Sequence, residues 1–485
     1  MLLDPLFRFR NLLRRFSRNE RGAVMVLFAM SLVAMVGMVA LSSDLGRQMR
    51  MNTELQEMAD AAALMAAKEL DGEGDAIERA VAAVNTLRNP EGRANRSIFA
   101  QNDARLVQLR FAAHWADLEN SPLAVVALPG GGAPEASLQR QAAWVQAVTD
   151  VGSAATIFAG VVGGPAQMQT MARATAGTQY VACAVQPLFM CLPPSGVSLD
   201  PGMMIRVKEQ PGSQWGPGNF GLLQPPNEGN QNSNQAQITK RITRNLALSS
   251  PPICYVNALR PTQGSKTGAV REGLNVRFDI FDKNADPEIK IPPAPNVLKG
   301  VEPDKNSECV KTPFKWANNQ SYPGRMPRDP CFDTASCRGN DSAFGEGGWE
   351  PGAVSYYEHH HGEGSFPEDG FETRFDMYMD QLTRTISGTE KMEPICAKSL
   401  SIGTGSPERR VIYAAMIDCV ANAEWLKGNS APSPIRAADI GKFFITEPTE
   451  GHEIYLEFVD RITANDESGK LQAIVQLYPN PQDPE

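Results

Sequence analysis

Three things are missing from parts of this 485-residue sequence: cysteine before residue 183, charge from residues 22–41, and helical periodicity from most of the region after residue 183. The eight cysteines (Cys183, Cys191, Cys254, Cys309, Cys331, Cys337, Cys396 and Cys419) are even in number and all follow the uncharged run, which fits pairing in an oxidising compartment. Buried free thiols are the alternative. Beyond the first 21 residues there is no basic excess, so a nucleic-acid footprint is excluded: six arginines there face only Asp4 and Glu20, although the whole chain has a net charge of −9. No Gly-x-Ser-x-Gly elbow and no phosphate loop ending in Gly-Lys-Ser/Thr occurs, and no carboxylate pair stands in a context that marks an acid and a base.

The length exceeds what one core organises, so about two folded units are expected beyond any membrane segment. The 36 prolines and 41 glycines point to a loop-rich, strand-bearing body.

The uncharged run, GAVMVLFAMSLVAMVGMVAL, would span about 30 Å as a helix, the thickness of a bilayer's hydrocarbon. Arginines precede it and Asp44 follows it, so the positive-inside rule predicts a cytoplasmic N-terminus and an exported body in a bacterial inner membrane. Two other readings stand beside a retained anchor. Ala40-Leu41-Ser42 offers a signal-peptidase site, against which the length of the run argues. Processing after Gly22 would be prepilin-like, but Leu27 occupies the fifth position, where glutamate is normal.

Past the membrane run, Leu55, Met58, Ala59, Ala62, Met65, Ala66 and Leu70 recur at helical spacing, with no proline or double glycine to interrupt one long helix. Residues 76–87 repeat the pattern with Ile77, Ala80, Val81 and Val84. Residues 20–70 resemble the N-terminal module of the TadG-like and TadE-like proteins of the Flp (tight adherence) pilus machinery. The resemblance is carried by Arg21-Gly22-Ala23, the apolar run, Ser43-Asp44-Leu45-Gly46-Arg47, Leu55-Gln56 and the box from Ala59 and Asp60 through Ala62 to Leu64. It implies a pilin-like stalk whose interaction helix, through Asp44, Gly46, Arg47, Leu55, Ala59, Asp60, Ala62 and Leu64, docks with pilin-like or secretion-platform proteins of a Tad apparatus. The small-residue stripe could equally pack on the chain's own body. Asp44 could simply mark the water interface, and Asp60 a solvated helix face. Segments of the body, such as CAVQPLFMCLP at 183–193, GLNVRFD at 273–279 and RRVI at 409–412, look like segments of large TadG-like proteins. The Asp-x-Ser-x-Ser metal motif found in some of those proteins is missing here.

These readings predict an α+β chain. A basic cytoplasmic head (1–21), a transmembrane helix (22–41) and a pilin-like stalk (42–88, with 22–70 as the TadG-like module) lead to a small α+β unit (95–180). A β-rich, disulfide-containing exported body (181–478) and a tail (479–485) complete the chain. Strands are expected at 105–115, 142–149, 203–207, 276–281, 411–418, 442–445, 454–459 and 471–478, a buried apolar segment at 157–163 and a loop at 225–237. Spacing suggests local Cys183–Cys191 and Cys331–Cys337 bridges and long-range pairing among the other four cysteines. The only candidate metal ligands, His359, His360 and His361, read as a solvated loop, because adjacent histidines rarely reach one ion. Asp282-Lys-Asn284-Ala-Asp286 begins like a calcium loop, but Pro287 and Pro293 stand where glycine and glutamate belong, so it reads as a turn. No cofactor and no enzymatic activity is expected. The function expected is that of a membrane-anchored component of a Flp/Tad-type pilus assembly or secretion apparatus, the alternative being an anchored exported enzyme or ligand-binding protein.

Overall fold

The structure is a computed structural model that describes residues 23–88, 106–300, 323–426 and 440–479. Within those limits it omits single residues, pairs and the stretches 160–163, 210–214, 227–234, 282–288 and 386–389. The basic head, most of the polar run at 225–237, the calcium-loop-like segment and Cys309 lie outside the described residues. The chain divides into two units, 1–178 with 475–485, and 179–474.

Unit 1 is built on helix α1 (Ala23–Lys68), 46 residues without a break and so about 70 Å long. Its first half is exposed and apolar, with Met25 76% and Val33 74% accessible. Its second half is buried along one face, where Met51, Leu55, Ala59, Ala62, Ala63 and Ala66 have no accessible surface. The switch happens within one element because the composition changes while the helical backbone continues. Helix α2 (Ala76–Arg88) adds Ile77, Ala80 and Val84 to the same core. Its first N–H groups would be orphaned, and the Gln139 Oε1 atom accepts from the N–H of Ile77 at 3.1 Å and of Glu78 at 3.2 Å. Arg79 ties the connection by pairing with Glu69, Asp71 and Asp75.

The helices cover an antiparallel sheet of β1 (Leu106–Ala112), β2 (Ala124–Ala127), β3 (Trp144–Thr149) and the first part of β6 (Arg173–Cys183), in the order β2-β1-β3-β6. Its register aligns Val126, Leu109, Ala147 and Ala174 in one rung and Ala124, Phe111, Val145 and Ala176 in another. Both rungs belong to the core that α1 covers. On the β3 and β6 side small residues face each other, Ala147 opposite Ala174 and Val145 opposite Ala176, so the alanines of the helix can lie close to the strands. A hairpin of β4 (Gly152–Ala155) and β5 (Gln167–Thr170) also leans on α1: a Cβ at Gly152 would stand 3.0 Å from Leu55 Cδ1.

Unit 2 centres on a closed six-stranded barrel, ordered β11 (Val411–Ile417), β12 (Ile440–Ile445), β13 (Glu453–Ile462), β8 (Met204–Glu209), β9 (Asn219–Leu222) and β7 (Leu188–Cys191). The β7–β11 and β8–β9 contacts are parallel and the others antiparallel. Ile412, Ala414 and Met416 of β11 join one core cluster, whereas Val411, Tyr413, Ala415 and Ile417 join another. That division explains why the strand reads as an unbroken apolar run. Helices α3 (Gln235–Ala247) and α4 (Thr267–Asn275) contribute Ile238, Ile242, Leu246, Val270 and Leu274 to the first cluster. A short strand, β10 (Cys254–Val256), pairs with the end of β6, and β14 (Leu471–Tyr478) closes the described chain.

Several expectations need correction. Residues 276–278 form a 3-10 turn instead of a strand, because Asp279 takes a left-handed conformation (φ 62°) and reverses the chain. Helices are more frequent after residue 183 than the periodicity suggested: α3, α4, α5 (Glu350–His361) and α6 (Arg374–Gln381) all lie there. Cys183 pairs with Cys254 instead of Cys191, since the β6–β10 register makes them direct partners with Cα atoms 4.0 Å apart. Cys191 pairs with Cys419 and Cys331 with Cys337, and Cys396 is bonded as well.

The small-on-small packing of α1 can be tested by volume. Ala63→Leu is expected to lower stability by about 1–3 kcal/mol through overpacking, while Ala61→Leu, on the exposed face, should stay within about 0.5 kcal/mol of the parent. Thermal unfolding of the detergent-solubilised chain distinguishes the two, and equal losses would refute this packing.

Candidate functional site

The segment with the most distinctive arrangement is the exit of α1 from its apolar half. Asp44 is the first charged residue after the run and is only 2% accessible. Its Oδ1 accepts from the backbone N–H of Ile157 at 3.0 Å, and its Oδ2 accepts from Phe158 at 3.0 Å and Ala159 at 2.8 Å. The N–H of Ile157 leads in holding the carboxyl below the usual carboxylate range; burial opposes it, while Ala159, Phe158 and Arg47 add to it. One side chain thus fastens the helix to the far end of the β4 strand, 113 residues away. Of the segment expected to be buried at 157–163, residues 160–163 lie outside the described residues, and its described start is exposed: Ile157 is 50% and Phe158 38% accessible. Three of its N–H groups are satisfied by Asp44, which removes the cost of leaving them outside the sheet.

The other residues singled out along α1 fall on two sides. Leu55, Ala59 and Ala62 are buried in unit 1, and Leu64 packs half-buried against the same cluster. Asp60 accepts from Gln56 Nε2 at 2.8 Å, and the same amide donates to the carbonyl of Arg173 at 3.1 Å, so the Leu-Gln box joins helix to sheet. Gly46 is exposed, Arg47 is half-buried, and Asp44 is bound as described. The Ala-rich stripe therefore packs on the chain's own sheet. Sequence reasoning named Asp44 and Gln56 but missed the partners of both. The available signal was the absence of charge from residues 151–172, which sets that hairpin apart.

In unit 2, His359, His360 and His361 form the last turn of α5 instead of a loop. Successive residues on a helix point about 100° apart, so the three rings diverge. The His360 Nε2 atom lies 3.1 Å from the carbonyl of Gly324, to which it donates, and His361 Nδ1 lies 2.9 Å from that of Thr385. Among the described residues no group of three or more His, Cys, Asp or Glu side chains could hold a metal ion. Burial depresses the His360 pKa to about 4, against the opposing effect of the Gly324 carbonyl.

The segments noted in the body occupy structural junctions. Arg277, fully buried, donates to the carbonyls of Leu246, Leu248, Arg409 and Val411. Asn275 bonds both the N–H and the C=O of Thr449, and Asp279 accepts from the N–H groups of Ile395, Cys396 and Ala397 at 2.7 Å each. Arg410 donates to the carbonyls of Ile445 and Thr446 beneath the rings of Phe278, Tyr378 and Phe444, each 4.7–4.8 Å away. Gln186, in the Cys183–Pro193 segment, bridges the carbonyls of Leu248 and Ser249 to the N–H of Tyr413.

Residues 22–69 match the Tad family, described as "Putative Flp pilus-assembly TadE/G-like". The match supports a TadG-like assignment and a role in pilus assembly, and it covers about a tenth of the chain. No curated protein and no solved structure matches the chain.

Two outcomes are expected here. Asp44→Asn should speed amide hydrogen exchange at residues 157–159 while α1 stays helical, and unchanged protection would refute the clamp. Because the folded pKa of Asp44 is depressed, its stabilisation is present above the ordinary value of 3.8 and is lost only as pH falls through the lower folded value. His360 has the opposite charge type: its folded pKa lies below that of the unfolded chain, so the unfolded state takes up the proton first. Stability in unit 2 should therefore fall as pH drops from about 6.5 to about 4, by up to about 3 kcal/mol. Urea titrations of parent and His360→Phe across that range should differ in slope; parallel pH dependences would refute the assignment.

Proposed function

We propose, from the Flp pilus-assembly match of residues 22–69, that this chain is a membrane-anchored component of a Flp/Tad-type pilus assembly or secretion apparatus. It acts by helix docking and contacts of its exported body, without catalysis. Residues 22–41 cross the inner membrane with the arginine-rich head in the cytoplasm, and the folded units lie in the periplasm. Disulfides in the body and the absence of cysteine from the first part of the chain support that placement.

The observation that carries the docking claim is the pair of glycines within α1. A helical glycine costs about 1 kcal/mol relative to alanine, and such a residue usually makes room for something. A Cβ at Gly37 or Gly46 would meet nothing within 4 Å. Among the described residues nothing requires either glycine, which favours close approach by a neighbouring helix in the membrane and at its surface. With Leu55, Ala59 and Ala62 already buried, the docking face is the exposed half of α1, on residues 23–49, instead of the Ala-rich box.

Replacing both glycines tests this in a way that separates docking from folding. Gly37→Leu combined with Gly46→Leu should leave the chain inserted and its helix at least as stable, because leucine is the better helix former, while pili vanish from the cell surface. Normal piliation with the double variant would overturn the docking claim.

A further inference from the structure

The tip of the β4–β5 hairpin exposes Ile157 (50%) and Phe158 (38%), two large apolar side chains, in a stretch from residue 151 to 172 that carries no charge. Ordinary hairpin tips in water are polar, and this one is not. Its position is fixed by Asp44, to which the N–H groups of Ile157, Phe158 and Ala159 all donate.

Asp44 follows the apolar run by three residues, which on a helix is about 4.5 Å of rise. The headgroup layer on each side of a bilayer is about 5–7 Å deep. If residues 22–41 fill the hydrocarbon, Asp44 and everything fastened to it stand in that layer. We infer that Ile157 and Phe158 insert into the headgroup–acyl boundary of the bilayer that holds α1, giving unit 1 a second membrane contact beside its helix. This rests on the anchor reading above.

The physical chemistry is consistent at each step. Apolar side chains gain by leaving water, and the boundary admits them without a deep insertion. Backbone N–H groups carried there lose water as a partner, so they need an acceptor within the protein. Asp44 supplies one for three consecutive N–H groups. The absence of charge along residues 151–172 removes the groups that would resist entry into a region of low polarity. The tip is bonded to Asp44, whose helical neighbours Leu41 and Leu45 are exposed apolar residues, 65% and 45% accessible. Because the tip is fastened at the level where the helix leaves the bilayer, lipid is the partner this inference commits to, leaving the glycines of α1 for the protein contact proposed above.

The test uses the full chain in phosphatidylcholine vesicles containing lipids with a nitroxide near the headgroup or deep in the acyl chain. A fluorophore is placed on Phe158→Cys and, as a second variant in case the first misfolds, on Ile157→Cys. Val33→Cys serves as the deep reference and Glu368→Cys, on an exposed residue of unit 2, as the aqueous one. Shallow nitroxide should quench the labels at 157 and 158 several-fold more than the label at 368, and aqueous iodide should quench them less. Iodide access equal to that at 368 overturns the inference. Protection from iodide without lipid quenching also overturns it, since a protein would then cover the tip. Quenching of Val33 by the deep nitroxide with none at 157 and 158 overturns this inference alone, whereas an unquenched Val33 overturns the anchor reading together with it.

Discussion

In the anchored arrangement proposed above, one helix satisfies two solvents without a joint, and the rest of unit 1 depends on how it does so. The first half of α1 is exposed and apolar, as a lipid-facing helix is, and its second half is a core element of a small α+β unit. The backbone makes no concession at the crossing, because each peptide group is satisfied within the helix in either medium. The change is made by side chains: apolar all round before residue 42, and apolar on one stripe after it. Asp44 sits where the two regimes meet. Its carboxylate is hidden from water yet charged, which is tolerable only because three N–H groups are aimed at it.

Unit 2 solves a different problem. A body rich in proline and glycine leaves many carbonyls outside regular ladders, and each must find a donor once buried. Buried guanidiniums supply those donors. Arg277 serves four carbonyls, Arg409 those of Pro292 and Ala247, and Arg410 two more under three aromatic rings. Arg374 instead pairs with Asp329 and Glu457, all three nearly inaccessible, and lies over Trp349. A fully desolvated charge set of this kind is a weak source of net stability, since desolvation offsets most of the attraction. Its consequence is specificity, because removing any one member strands the others. The arginines at 277, 409 and 410 are structural ties between loops and strands, which accounts for their unusual burial.

Regular local patterns were legible in the sequence, and tertiary choices were not. The long helix, α2 and seven of the fourteen described strands could be read because periodicity at 3.6 or 2 residues, or an unbroken apolar run, extends over several turns or rungs, whereas β6, the longest strand, and six short ones went unread. Residues 276–278 misled because Val-Arg-Phe has strand-like composition, whereas the conformation is dictated by Asp279 capping a segment more than a hundred residues away. Cys183–Cys254 could not be read from spacing, since the pairing follows from a strand register between segments 71 residues apart. Other misses carried a usable signal. Ile238, Ile242 and Leu246 in α3, and Ala353, Tyr356, Tyr357 and His360 in α5, recur at helical spacing, but the polar run before the first and the proline and glycine within the second obscured it. At the candidate site, Asp44 stood out as the first charge after an apolar run and the charge-free stretch at 151–172 set its hairpin apart, but that the two meet could be found only in three dimensions.

The matched segment and the folded unit have different boundaries, and this bears on how the helix works. The Tad family match ends at residue 69 and α1 at Lys68, so the module is essentially one helix. Half of that helix would expose Met51, Leu55 and its alanines if the sheet of residues 106–178 were absent. The module therefore cannot be satisfied in water by itself, and the sheet is the part of this chain that completes it. A helix packed against a sheet over about five turns, from Met51 to Ala67, is stiff, and α1 contains neither proline nor another break at which it could bend. Any push or tilt imposed on its membrane half by a neighbouring helix must then be passed to the sheet through Leu55, Ala59, Ala62 and Ala66, with Asp44 and Gln56 preventing slip. In the docking proposed above, the alanines named by the resemblance would act as the rigid coupling behind a docking face that lies earlier on the same helix.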